Sequence, residues 1–181
     1  FNFDKIQFRF AKDDNVALEM LKKGDLDWLR LTPEQYVTKA VGKPWGTKVL
    51  KKEVQNKAPG PYTFVAWNFK NTIFQDRDVR VALAHLMNRK LMNEKFRFNK
   101  GLLATGPWYQ QIPYANKKIK PFTFNPKKAK QLLAKAGWKD TDKDGVLDKV
   151  INGQKTPFRF SLMFSNRDVE KYFTMYKENL K

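Results

Sequence analysis

The stretch Phe64–Met92, FVAWNFKNTIFQDRDVRVALAHLMNRKLM, decides how the rest of the chain is read. Its entrance is strand-like. Over Tyr62–Phe69, Tyr62, Phe64 and Ala66 form one alternating set and Val65, Trp67 and Phe69 the other. Both sets are apolar, so a strand here predicts cover on both faces, as inside an α/β sheet. Asn71-Thr72 breaks the run, Phe74 follows, and Asp76 stands where an N-cap is needed. Its carboxylate can accept the unpaired amide hydrogens of the next turn. Val79, Leu83 and Leu86 then recur at helical spacing, with Arg77, Arg80 and Arg89 off that stripe. Asn88 can cap a second helix, and Asp78 is favoured near a helix N-terminus. These residues predict a buried strand feeding a capped amphipathic helix.

Toward the N-terminus, residues 5–60 predict an αβ section. Ile6–Phe10 reads as a strand. Asp13 or Asp14 can cap a helix that carries Val16, Ala17, Met20 and Leu21 on one stripe and ends at Gly24. Gly24–Arg30 reads as helix end into strand. Thr32 can cap a helix over Pro33–Val41, with proline in its first turn. A turn at Gly42–Gly46, a strand at Lys48–Val54 and a loop at Asn56–Pro61 complete this section.

Toward the C-terminus, Gly101–Lys120 is a long loop punctuated by glycine and proline, and loops of that length often carry function. Asn125-Pro126 opens a helix with Ala129, Leu132, Leu133 and Ala136 on one stripe, closed by Gly137. Thr156–Phe164 alternates, setting Phe158, Phe160, Leu162 and Phe164 against Arg159, Ser161 and Met163, which predicts a half-buried strand. A last helix carries Val169, Phe173, Tyr176 and Leu180 on one stripe. There is no internal repeat and no low-complexity tract.

Composition narrows the function classes. The 181 residues include 15 Phe, 6 Tyr and 5 Trp, enough apolar side chain to argue against disorder. The absence of cysteine excludes disulfides, thiolate metal sites and cysteine nucleophiles. No apolar run approaches the ~20 residues that span a bilayer, and no charged-then-apolar leader stands at the start. The formal net charge is +18, unevenly placed. Residues 1–60 carry 12 Lys and Arg against 8 Asp and Glu, whereas residues 61–181 carry 24 against 10. Such a field attracts anions: acidic peptides, phospholipid headgroups or nucleic acid. The plainer reading, which we favour, is a solvated basic surface on an exported protein.

One constellation has metal-ligand spacing. Asp140, Asp142, Asp144 and Asp148, with Gly145 at the sixth position, match the first nine places of a calcium loop. The twelfth place, which should supply a bidentate glutamate, is Ile151. The alternative is an Asx-rich turn leading into the next strand. His85 is the only histidine, lies within the helix opened by Asp76, and reads as structural because it lacks a triad or a ligand set. No nucleophile elbow or phosphate-cradling glycine loop occurs. Nothing here argues for an enzyme.

The order Asn68, Phe74, Asp76, Val79-Arg80, Ala82-Leu83 and Arg89 resembles the lobe-crossing segment of extracytoplasmic solute-binding proteins of peptide ABC importers. These form the oligopeptide- and dipeptide-binding family (family 5). Two positions depart from the family pattern: Asp78 where arginine is usual, and Asn88 where aspartate is usual. The run Asn125–Trp138, NPKKAKQLLAKAGW, is similar to that family's D-P-x-K-A-K-x-L-L-x-x-A-G-W helix, and Gly24-Asp25-Leu26-Asp27 to its S-G-E-I-D pattern.

The resemblance implies an α/β fragment of a two-lobed periplasmic-binding-protein fold of the class II, peptide-binding type. Residues 1–62 would end the first lobe, 63–70 cross between lobes, and 71–181 begin the second. Implied partners are a peptide ligand and a membrane permease, with a monomeric, exported protein in the periplasm or at the cell surface. Its signal peptide would lie outside this sequence. The implied ligand-binding residues are Arg30, Phe64, Trp67, Asn68, Trp108 and Tyr109. Arg30 can meet a peptide carboxylate, and the aromatics can line a cleft, although each also suits packing or plain surface. Much of the cleft would come from segments not in this chain, so these residues alone are expected to bind peptide poorly. No cofactor is implied, calcium being the open question. The rival is a basic nucleic-acid-binding or anionic-surface-binding domain built on Lys90–Lys139, where Phe96, Phe98, Trp108 and Tyr109 interleave with lysines. Its mark would be binding that falls steeply with salt.

Overall fold

In the computed structural model, which describes residues 2–54, 60 and 62–181, the expected caps do cap. Helix α1, Asp14–Lys23, starts where the Asp13 carboxylate accepts from the amides of Asn15 and Val16 at 2.8 and 2.9 Å. It ends at Gly24, whose φ of 88° lets the Gly24 and Asp25 amides turn back to the carbonyls of Leu21 and Met20. Its buried face is Ala17, Leu18 and Leu21. Val16, expected on that stripe, is exposed, and Leu18 takes its place. Thr32 and Gln35 cap each other's amides at 3.2 and 3.1 Å, starting a helical turn at Pro33 that continues as a π-turn over Gln35–Lys39.

A short 3-10 turn, Thr72–Phe74, capped by Asn71, leads to α2, Arg77–Leu86, where the Asp76 carboxylate accepts from the Asp78 amide at 2.7 Å. Asn88 caps α3, Arg89–Arg97, through the Leu91 amide at 3.1 Å. Asn125 caps α4, Pro126–Lys135, through the Lys128 amide at 2.9 Å. Strands β1, Asp148–Ile151, and β2, Gln154–Pro157, form an antiparallel hairpin with Ile151 opposite Gln154. Asn152 and Gly153 make its two-residue turn, both at positive φ (51° and 79°) as a type I′ connection needs. Helix α5, Glu170–Leu180, follows a 3-10 turn at Arg167–Val169.

The described residues divide into two units, and the division passes through α3. One holds the residues up to 54 with Lys95–Gly101; the other holds those from 60 to Glu94 with Leu102–Lys181. The core of the second unit is Ile73, Phe74, Val79, Ala82, Leu83, Ala129, Leu133, Ala136 and Trp138, drawn chiefly from α2 and α4. Trp67, Phe158 and Phe160 pack on it edge to face or tilted. Asp78, which departs from the family pattern, pairs with Lys135 at 2.7 Å and so ties α2 to α4. Tyr176 of α5 is buried, and its hydroxyl donates to the Leu83 carbonyl at 2.8 Å.

Four predicted strands are not ladders. Ile6–Phe10, Gly24–Arg30, Lys48–Val54 and Tyr62–Phe69 form no strand among the described residues, apart from one isolated bridge between Trp45 and Val49. Tyr62–Phe69 is also not covered on both faces, since Tyr62, Phe64 and Phe69 are exposed. A helix bonds its own backbone, but a strand exists only beside a partner, and these runs have none here. The predicted strand Thr156–Phe164 likewise pairs only as far as Pro157. Beyond it the alternation survives in burial, with Phe158, Phe160 and Leu162 half-buried against exposed Arg159, Ser161 and Met163. The expected loop Asn56–Pro61 lies, Gly60 apart, outside the described residues.

Candidate functional site

The six residues singled out as ligand contacts lie on three segments of the chain, in both units. Arg30 belongs to the first unit, exposed and without a hydrogen-bond or ion-pair partner among the described residues. The others belong to the second unit. Phe64 is 66% exposed with its ring 5.4 Å from Tyr62. Trp67 turns to the core, its ring 4.8 Å from Phe74 and 5.8 Å from Phe160. Asn68 does turn chemistry, its side-chain oxygen accepting from the Lys70 amide at 3.0 Å and its carbonyl from Asn71. Trp108 is 67% exposed and Tyr109 half-buried, both on the long loop.

That loop is anchored at its base by two residues near the α2–α3 junction. One Arg89 guanidinium donates through Nη1 to the Ala104 carbonyl at 2.8 Å and through Nη2 to the Phe122 carbonyl at 3.2 Å. His85 lies within 2.7 Å of the Thr123 carbonyl through Nδ1. A carbonyl can only accept, so Nδ1 carries the hydrogen and donates. Nε2 is buried and has no hydrogen-bond partner among the described residues. The His85 carbonyl in turn accepts from the Asn125 amide at 2.9 Å. Burial pushes the Arg89 guanidinium below its ordinary value, and no carboxylate pairs with it among the described residues. Sequence reasoning placed His85 as structural and Arg89 as a motif residue. Their partners lie 15 to 38 positions away, beyond the reach of any local pattern.

The carboxylate loop is closed by a two-way backbone bridge between Lys139 and Asp148, at 3.0 and 2.7 Å. Oxygens of Asp140, Asp142 and Asp148 lie within 4.8 Å of one another, and Asp144 is not among them. Asp140 and Asp144 accept from the amides of Gly145 and Val146. The Lys155 ammonium, from β2, hydrogen-bonds Asp142 and lies 3.4 Å from Asp148. Burial alone would raise the Asp148 carboxyl, but the Thr141 hydroxyl and amide together with Lys155 outweigh it and hold it below the usual range. The hydrogen bond from Lys155 lowers Asp142 in the same way, and Lys155 is raised in return.

Comparison with known proteins places these features in context. Residues 1–181 match the family described as bacterial extracellular solute-binding proteins, family 5, middle region. The oligopeptide-binding protein AppA of Bacillus subtilis is 30% identical over 181 residues, covering 98% of this chain and 32% of AppA. The solved structure of AppA in complex with a nonapeptide aligns over 93% of this chain and 32% of its own, with a TM-score of 0.69 and 34% identity. An oligopeptide-binding protein from Thermus thermophilus, complexed with a pentapeptide, aligns over 61% of this chain and 19% of its own, with a TM-score of 0.56 and 27% identity. The nickel-binding periplasmic protein of Escherichia coli is 27% identical over 91% of this chain and 30% of its own. The chain thus spans about a third of the length of AppA.

Proposed function

Because this chain belongs to the bacterial extracellular solute-binding proteins, family 5, we propose that it is part of a receptor that captures peptides between two lobes and hands them to the permease of an ABC importer. Its fold class is that of a fragment of the two-lobed α/β peptide-binding type. The observation that carries the reading is the likeness, at 34% identity and a TM-score of 0.69, to a structure that holds a nonapeptide. On this reading residues 1–62 end one lobe, 63–70 cross, and 71–181 begin the other.

Peptide main chain offers evenly spaced donors and acceptors. A cleft that satisfies those and leaves wet side-chain pockets binds many sequences. A ligand touching both lobes has a higher affinity for the closed arrangement and shifts the population toward it; closure is then what the permease recognises. Trp108 and Tyr109 on the long loop, with Arg30, Phe64, Trp67 and Asn68, are the residues of this chain assigned to that cleft. The role is binding and release, with no reaction, in a monomer at the cell surface or in the periplasm. It needs no cofactor. The calcium-like loop brings three carboxylates together, and the Lys155 ammonium meets two of them, which supports Lys155 as their counter-charge.

The test is to purify the full-length protein carrying residues 1–181 from its own host, denature it, and identify what is released by mass spectrometry. A ladder of short peptides is expected. Oligonucleotides, bound nickel without peptide, or an empty protein with salt-sensitive DNA binding would each overturn the reading.

A further inference from the structure

We infer that Arg89, at the start of α3, with His85 near the end of α2, is a latch that sets the position of Trp108 and so tunes peptide binding. The inference rests on the reading that Trp108 faces the peptide. Between Ala104 and Phe122 the chain makes only turns and bends. The bonds seen within the loop are local: the Gln110 side-chain Nε2 donates to the Leu103 carbonyl and the Thr105 hydroxyl, the Ile112 backbone amide to Tyr109, and the Ile119 backbone amide to Asn116. Such a segment has little buried apolar surface to hold it and belongs to the part of a fold that opens most readily. A single guanidinium spans its two ends, bonding Ala104 on the way out and Phe122 on the way back. The next residue, Thr123, is held by His85.

Arginine suits this task where lysine does not. Its rigid fork presents donors in fixed directions, so two carbonyls are engaged at once and the gap between them is set. Among the described residues the half-buried guanidinium has no carboxylate to relax toward, which leaves the loop carbonyls as its acceptors. The latch therefore fixes the base from which Gly106-Pro107-Trp108 projects.

Exposed lysines in the loop supply the readout. Trypsin can cut after Lys117 and Lys118, whereas Lys120 is protected by Pro121. In the full-length protein, Arg89→Met, which keeps the stem and removes every donor, should speed nicking at Lys117 and Lys118 by about tenfold or more, the factor that matches the loss of one charge-assisted hydrogen bond. Arg89→Lys, which keeps the charge and one reach, should be intermediate and serves if the methionine variant does not fold. Retention of a degenerate nonapeptide library, read by mass spectrometry, should fall in Arg89→Met, recover partly in Arg89→Lys, and fall in Trp108→Ala without any change in nicking. Nicking at the parental rate in both Arg89 variants would overturn the latch. Faster nicking with parental retention in Arg89→Met, while Trp108→Ala loses the library, would overturn positioning. Faster nicking with parental retention in Arg89→Met and Trp108→Ala alike would instead remove Trp108 from the cleft and leave the latch standing.

Discussion

The two units use similar side chains to different ends. The second closes a core in which Val79, Ala82, Leu83 and Ala129 have no exposed surface at all. The first buries Ala17, Leu18, Leu21 and Ala40 but leaves Phe3, Ile6, Phe8, Phe10, Trp28, Leu50 and Val54 largely in solvent. Apolar content is therefore not what separates them. In the second unit the apolar residues stand on helices, which satisfy their own backbone and can pack as soon as two faces meet. In the first they stand mostly on extended runs, whose amides and carbonyls need a neighbouring strand before the side chains can be buried.

This contrast can be broken most sharply at Leu83. Truncating it to alanine in the 181-residue chain should cost about 2–5 kcal/mol, since a fully buried leucine leaves a cavity among α2 and α4 side chains. Chemical denaturation followed by circular dichroism would read it, and a loss below 1 kcal/mol would mean that the α2–α4 core is not the source of stability. Asp76→Ala removes the α2 cap and should cost about 1 kcal/mol by the same measurement. The matching Asp13→Ala should loosen α1 alone, seen as faster amide exchange over Asp14–Lys23 and not in α2.

A pH series sharpens the comparison within the second unit. Asp142 and Asp148 are held below their ordinary values, so their contribution is present above the unfolded carboxyl value of about 4 and is lost as pH falls through the lower folded values. Lys155 is raised, so its share persists until pH rises past about 10.4. Amide exchange in β1 and β2 should speed up below about pH 4 while α2 stays protected; uniform protection down to pH 2 would contradict the Lys155 clasp. The smallest effect is expected at Phe10, which is 100% exposed. Phe10→Ser in the same 181-residue chain should move stability by no more than about 0.5 kcal/mol, and a larger loss would reveal packing in the first unit.

What was legible in the sequence follows the same line. Caps and helix faces are written within a few residues of where they act, and Asp13, Thr32, Asp76, Asn88 and Asn125 were all readable. Strand pairing is not local, so Tyr62–Phe69 looked like a ladder that the structure does not contain. The hairpin at Asp148–Pro157 carries a strong type I′ signal in Asn152-Gly153, but the alternation from Phe158 onward places the predicted strand two residues later than β2. At the candidate site, the loop's length and its aromatics were visible. The anchors Arg89 and His85, and the Lys155 ammonium on two aspartates, depend on contacts between residues far apart in the chain.

The bond from the Tyr176 hydroxyl to the Leu83 carbonyl joins positions 93 residues apart, so it closes a longer loop of chain than the packing of α2 on α4 does. Loop closure costs entropy that grows with the length of chain enclosed and must be met before the contact rewards it. Docking of α5 is therefore expected to follow the meeting of α2 and α4, with the Tyr176 hydroxyl sealing Leu83 last.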